Sequence, residues 1–286
     1  MDLVIQSPTL STAAIDAFKV ACVAARVEHG GKVARLVGVA DDATTRKAAA
    51  TLAETFACDA AFVAPDLRLA GFRLLAMDMD STLIDIESLD QVAALAGKGA
   101  EVAAITEAAM RGEIADYKES LRRRVAMLAG VEAELLQRVL DEHLRLNPGA
   151  EELIAGCKAA GLKTLLVTGG FTFFTERMHE RLGFDFTRAN ELEIADGKLT
   201  GRVTGPAGGE IVDAEGKAQA VRETCAALGC TTRQAIVVGD GANDLKMMAL
   251  AGLSVAYRAK PVVRAQASVA LNYAGLDGLL ALFAPE

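Results

Sequence analysis

The sequence predicts an α/β protein: a parallel-sheet core interrupted by a helical insertion and preceded by a small α+β unit. Three observations carry this. The short apolar runs RLLAMD, KTLLVTGG and AIVVGDG each end in polar residues or glycine, with helical stretches between them. Strands of this kind, apolar on both faces, belong to parallel sheets flanked by helices. Residues 86–146, between the first two runs, are strand-poor, charged and helical in period, as in an inserted helical subdomain. The first 70 residues read in the order β-α-β-β-α-β, which is the order of a ferredoxin-like sandwich. The expected division is therefore 1–70 and 71–286, with the insertion at about 86–146.

Taken in order, LVIQS is a short apolar strand, and Ser11 or Thr12 can cap a helix running to about residue 25. RVEHGGKVARLVGVA reads as two strands around Gly30-Gly31, followed by a helix at about 43–56 and the strand AAFVA. The segment from Pro65 to Gly71 is the expected linker. Further on, LEIADGKLTGRV predicts a hairpin turning at Asp196-Gly197.

Composition narrows the function. Of 286 residues, 30 are Lys or Arg and 38 Asp or Glu, a net charge of −8. With 5% aromatics and no Trp, the chain is not expected to present a nucleic-acid surface. The mean hydropathy of +0.27 is high, but much of it is alanine, and no apolar run approaches the roughly 18 residues a membrane span needs. MDLVIQSPTL lacks a basic region followed by a long apolar run, so a secretory signal is not expected. Cys22, Cys58, Cys157, Cys225 and Cys230 are dispersed, which suits buried thiols in a reducing compartment, the cytoplasm by default.

Ligands of open α/β sheets gather at the carboxyl ends of strands. The first core strand ends in Asp78-Met79-Asp80-Ser81-Thr82, which by itself also reads as a turn whose side chains cap the next element. It is no calcium loop, because Thr82 and Leu83 stand where an acidic residue and glycine are required. The second ends in Thr168-Gly169-Gly170, a hydroxyl and exposed backbone N–H groups that suit phosphate or form a plain tight turn. Gly156 and Gly161 have the spacing of a Walker loop, but Leu162 replaces its lysine. The third ends in Gly239-Asp240-Gly241-Ala242-Asn243-Asp244, a dinucleotide fingerprint spoiled at Asp244, and alternatively a capped helix start. Taken together, Asp78, Asp80, Asp240 and Asp244 at one sheet rim would repel one another without a cation. A hard ion such as Mg²⁺, with phosphate, resolves that conflict.

Two cations complete the set. Helical spacing turns Arg124 toward the Leu121, Val125 and Leu128 stripe and Arg122 and Arg123 away from it, a lean that snorkelling also explains. Lys217 lies on the buried face near a helix start, against the helix dipole. Such a local violation marks functional sites as well as surface lysines. His29, His143 and His179 have no ligand spacing.

These residues resemble the haloacid dehalogenase superfamily, and within it the branch that hydrolyses O-phospho-L-serine. Its first motif, D-x-D-S-T, is Asp78 to Thr82; the second is Thr168-Gly169-Gly170-Phe171, with threonine for the usual serine. Lys217 matches the third, and Gly239 to Asp244 the fourth. Glu87, EAAMRGE, SLRRR and ANELEIADGKLTG match the neighbourhood of that branch, so the similarity covers roughly residues 73–275. The resemblance implies a Rossmann-like parallel core with a helical cap. The N-terminal sandwich resembles amino-acid-binding regulatory domains.

The implied activity is Mg²⁺-dependent hydrolysis of O-phospho-L-serine through an aspartyl-phosphate, the last step of serine biosynthesis. Asp78 is implied as nucleophile and Asp80 as general acid and base, with Asp78, the Asp80 carbonyl and Asp240 as metal ligands. Thr168, Gly169 and Lys217 would hold phosphate, while Asn243 and Asp244 orient phosphate and metal. Glu87 would receive the substrate ammonium and Arg124 its carboxylate. A phosphotransferase, or a phosphatase of another small metabolite, would keep every motif.

Overall fold

A computed structural model describes residues 1–284. The chain is α/β with a parallel-strand core, a helical cap and a small antiparallel α+β part, as the sequence predicts. It divides into two compact units, Met1–Leu75, Pro148–Lys163 and Cys230 onward in the first, and Ala76–Asn147 and Thr164–Gly229 in the second.

The first unit opens with β1 (Asp2–Gln6), α1 (Thr12–Ala21), β2 (Arg26–Gly30), β3 (Val33–Val37), α2 (Ala43–Phe56) and β4 (Asp59–Val63). These strands pair antiparallel in the order β2-β3-β1-β4, the ferredoxin-like arrangement. Leu3, Ile5, Phe18, Leu36 and Ala49 fill the core beneath the helices. Ser11 caps α1 and Asp42 caps α2 through side-chain acceptors. α1 stops at Ala21, four residues short of the expected end, because Val23 adopts a positive φ of 50°, which a right-handed helix cannot continue.

β5 (Leu74–Met77) follows, and its carboxyl end delivers Asp78. The cap then comprises α3 (Ser88–Leu95), α4 (Gly99–Met110), α5 (Tyr117–Ala126) and α6 (Glu134–Arg138). Asn147 closes its base, donating through Nδ2 to the carbonyls of Thr82 at 2.8 Å and Ile84 at 3.1 Å. The chain continues through α7 (Ala150–Ala159), β6 (Lys163–Phe171), α8 (Thr172–Leu182), β7 (Phe186–Ala195), β8 (Lys198–Thr204) and α9 (Ala214–Ala227). β6 and β7 are parallel, while β7 and β8 form the expected antiparallel hairpin. Its turn uses Asp196 at φ 49° and Gly197 at φ 76°, the paired left-handed residues of a two-residue hairpin loop.

Back in the first unit, β9 (Ala235–Gly239), β10 (Leu253–Tyr257) and β11 (Val269–Leu271) pair parallel. Asp59 fastens β4 to the segment after β11: its carboxylate accepts the N–H groups of Asn272 (2.6 Å), Tyr273 (3.1 Å) and Ala274 (2.8 Å). Arg35 donates to the carbonyls of Leu282 and Phe283, each at 2.9 Å. Among the described residues, no helix is long and apolar enough to cross a membrane.

Candidate active site

In the second unit, the residues after β5 leave the strand as one irregular turn over Met79–Leu83. Asp78 begins it, accepting the Met79 N–H at 2.7 Å. Asp80 is extended (φ −63°, ψ 135°), and Ser81 is left-handed at φ 56°. That conformation costs a residue bearing a Cβ, and such strain concentrates at functional turns. Here it lets the Ser81 N–H reach the Ile86 carbonyl at 3.1 Å and its hydroxyl reach Glu87 Oε1 at 2.7 Å. Glu87 is thereby held at the start of α3.

Asp80 Oδ1 accepts the Ser88 N–H at 3.0 Å. Its carboxyl is pushed up to about 7, first by burial and then by the Glu87 charge, against the Ser88 hydrogen bonds and Lys217. Asp80 is thus poised to carry a proton near neutral pH. A Cβ on Gly170 would collide with Asp80 Oδ2 at 2.8 Å and press on Thr168 Oγ1 at 3.2 Å. The glycine allows that approach.

β6 ends in the Thr168-Gly169-Gly170 turn. Thr168 is buried, and its Oγ1 accepts the Gly170 N–H at 2.9 Å. The Tyr117 hydroxyl fills the space a Gly169 side chain would need. Burial raises the Tyr117 phenol, and Lys217, Arg124, Asp78 and Asp80 all act on it electrostatically. Lys217 is on the first turns of α9, 1% exposed, with Nζ 2.7 Å from Asp78 Oδ2. Asp213 caps that helix by accepting the Gly216 N–H. Arg124 is half-buried on α5, and its Nε is buried without a hydrogen-bond partner, while Arg122 and Arg123 are exposed.

In the first unit, the turn after β9 is organised by Asp244. It is fully buried, and its Oδ2 accepts the N–H groups of Asp240 at 3.2 Å and Gly241 at 3.0 Å. Its carboxyl packs against Gly239 so closely that a side chain there would collide. Asp240 and Asn243 stay partly exposed on the same turn.

A family model for haloacid dehalogenase-like hydrolases matches residues 75–249. The chain belongs to the haloacid dehalogenase-like hydrolases. A curated phosphoserine phosphatase of Polaromonas is 62% identical over 218 residues, covering 76% of this chain and 92% of its own. The unliganded crystal structure of a probable phosphoserine phosphatase from Vibrio cholerae superposes with a TM-score of 0.84 at 35% identity. That match spans 99% of this chain and 86% of the other. A phospho-aspartyl intermediate analogue of a phosphoserine phosphatase matches with a TM-score of 0.67 at 33% identity, over 74% of this chain and 99% of that one.

Within this haloacid dehalogenase-like site, the structure brings Asp78, Asp80, Thr168, Gly169 and Lys217 of the second unit into one constellation. Glu87 and Arg124 rise from the cap. The sequence analysis assigns no role to Tyr117, Ser88 or Asn190. Asn190 falls in the run ANELEIADGKLTG that carries the resemblance, but nothing local in that run gives it a task. Tyr117 and Ser88 gave no local signal, because each matters through a partner distant in sequence or through backbone.

Proposed function

We propose that this chain is a phosphoserine phosphatase that hydrolyses O-phospho-L-serine to L-serine and phosphate through an aspartyl-phosphate, the last step of serine biosynthesis. The observation that carries the reading is Asp78 held against Lys217 at 2.7 Å, with the Asp80 carboxyl pushed up to about 7. One carboxyl is ion-paired and the other can carry a proton near neutral pH, which are the environments a nucleophile and a general acid need. The named relatives, one of them an aspartyl-phosphate analogue, support the same chemistry.

Asp78 Oδ attacks phosphorus in line, forming the aspartyl oxygen–phosphorus bond as the serine oxygen–phosphorus bond breaks. Asp80 gives its proton to the departing serine oxygen. In the second half, Asp80 takes a proton from water as that water attacks phosphorus, releasing phosphate and restoring the Asp78 carboxylate. Thr168, the Gly169 N–H and Lys217 stabilise the equatorial oxygens, and Asn243 orients them. Asp78, the Asp80 carbonyl and Asp240 offer only hard oxygen donors, which fits Mg²⁺, with Asp244 bracing the turn. When bound, the ion supplies positive charge to the phosphoryl oxygens.

Glu87 takes the substrate ammonium and Arg124 its carboxylate. The unpartnered Arg124 Nε supports the second assignment, because a buried donor needs an acceptor. Residues 1–70 are proposed as an N-terminal α+β domain with a regulatory role, and 71–286 as the phosphatase domain with its cap at about 86–146. Free thiols suit a reducing compartment, and we place the reaction in the cytoplasm.

The test is phosphate release from L-phosphoserine with Mg²⁺, run beside Asp78→Asn. Turnover by the native protein that vanishes in the variant supports the reading. No turnover of phosphoserine by the native protein overturns the substrate. Serine formed without equivalent free phosphate would instead indicate transfer to another hydroxyl.

A further inference from the structure

Asn190, on β7, has no exposed surface, and its side-chain amide bonds at both ends. Nδ2 donates to the Gly169 carbonyl at 2.8 Å, and Oδ1 accepts the Val212 N–H at 2.8 Å. The partners fix the amide's orientation, since a carbonyl requires the donor and an N–H the acceptor.

Each bond lands beside one of the groups assigned above to phosphate. The Gly169 carbonyl and the Gly170 N–H belong to one planar peptide, and that N–H donates to Thr168 Oγ1 at 2.9 Å. Asn190 and Thr168 therefore hold the same peptide from opposite edges. With Thr168 Oγ1 already accepting there, its one proton is left to donate elsewhere, as phosphate binding requires. On the other side, Val212 precedes Asp213, which caps α9 and whose carbonyl accepts the Lys217 N–H at 2.8 Å. Anchoring Val212 anchors the helical turn that bears Lys217.

We propose that Asn190 is a positioning residue: it sets the spacing between the Thr168-Gly169-Gly170 nest and Lys217 so that both meet one phosphoryl group. The proposal rests on the phosphatase reading. A merely structural asparagine would cost stability when replaced but leave the folded enzyme's handling of phosphate unchanged.

Asn190→Asp keeps the shape and the Val212 bond but turns an oxygen toward the Gly169 carbonyl. Asn190→Ala removes both bonds. In folded variants the expected result is a fall in kcat/KM of roughly 30–100-fold, in line with the cost of about an ångström of misplacement. Inhibition by inorganic phosphate should weaken with it, because product and transition state share the nest. A folded variant with kcat/KM and phosphate inhibition within about twofold of the native enzyme overturns the proposal, that bound being well inside the tenfold that 1.4 kcal/mol represents. Should neither variant fold, titrating the native protein with phosphate decides by NMR. The Asn190 side-chain amide resonances should move and saturate with the inhibition constant, and resonances that stay still overturn it. A native protein that neither turns over phosphoserine nor responds to phosphate overturns the phosphatase reading and this proposal with it. Folded variants with native kinetics, beside an active parent, overturn Asn190's role alone.

Discussion

Lys217 Nζ sits 2.7 Å from Asp78 Oδ2, with the two side chains 1% and 7% exposed. Burying two charges costs several kcal/mol each, and mutual attraction offsets that only while both are present. The lysine therefore offsets the burial of the carboxylate and fixes one of its oxygens. Replacing Lys217 with Met should destabilise the protein by about 3–5 kcal/mol and abolish detectable turnover. The double variant with Asp78→Asn should lose less stability than the two singles combined. Urea denaturation without added metal measures this; an unchanged midpoint in Lys217→Met would contradict the pair.

The raised Asp80 carboxyl predicts a pH limb. The leaving serine oxygen needs a proton, so Asp80 works in its protonated form, and kcat/KM should fall as pH rises through about 7. Glu87 is the largest charge contribution pushing Asp80 up. Removing that charge in Glu87→Gln should move the limb toward lower pH. An aryl phosphate, which has no ammonium for Glu87 to bind, separates this from substrate affinity. A limb that stays in place would show that Glu87 does not act on Asp80.

Much of the fold was legible because it is local. The helix at 43–56 and the Asp196-Gly197 turn follow from side-chain period and turn chemistry, and the structure reproduces both. Helical spacing put Lys217 on a buried face and turned Arg124 inward while leaving a surface lysine and a snorkelling arginine open, and in the structure Lys217 is buried and Arg124 half-buried. What escaped depends on backbone conformation or on partners distant in sequence. Val23 ends α1 by a positive φ that no residue type announces. Ser81 adopts a left-handed conformation only because the turn from Asp78 to Glu87 requires it. Asn190 reads as one polar residue in a strand until the Gly169 carbonyl and the Val212 N–H, both about twenty residues away in sequence, converge on it.

Arg124 should govern substrate choice rather than chemistry. Its Nε is buried without a partner, so a carboxylate there gains a charge-assisted contact worth about 1.5–3 kcal/mol. Arg124→Ala should lower kcat/KM for phosphoserine roughly 10–100-fold on that basis while changing an aryl phosphate far less. Steady-state kinetics on both substrates tests it, and equal losses would remove the carboxylate assignment.

The thiols should differ sharply in reactivity. Cys22, Cys58, Cys157 and Cys225 are buried, and Cys230 is partly exposed. Burial pushes Cys58 up to about 11 and Cys157 to about 12, which removes the reactive thiolate at neutral pH. A thiol–disulfide exchange reagent should titrate a single cysteine in the native protein and all five after denaturation. Cys230→Ser should erase the native signal. Rapid reaction of a second thiol would show that the fold opens around it.

The buried Asp59 carboxylate gathers the N–H groups of Asn272, Tyr273 and Ala274. Among the described residues β4 pairs with β1 in the four-stranded sheet, and the carboxylate supplies acceptors to these amides. Asp59→Asn removes the charge and turns an amide donor toward at least one N–H. Hydrogen bonds to charged groups are worth about 1.5–3 kcal/mol, and the variant should lose about that much stability. Turnover per folded molecule should be retained, because Asp59 has no part in the proposed chemistry. Chemical denaturation followed by circular dichroism reads the first effect and phosphate release the second. If stability is unchanged, these backbone amides have other acceptors, and Asp59 does not fasten the N-terminal sheet to the segment after β11.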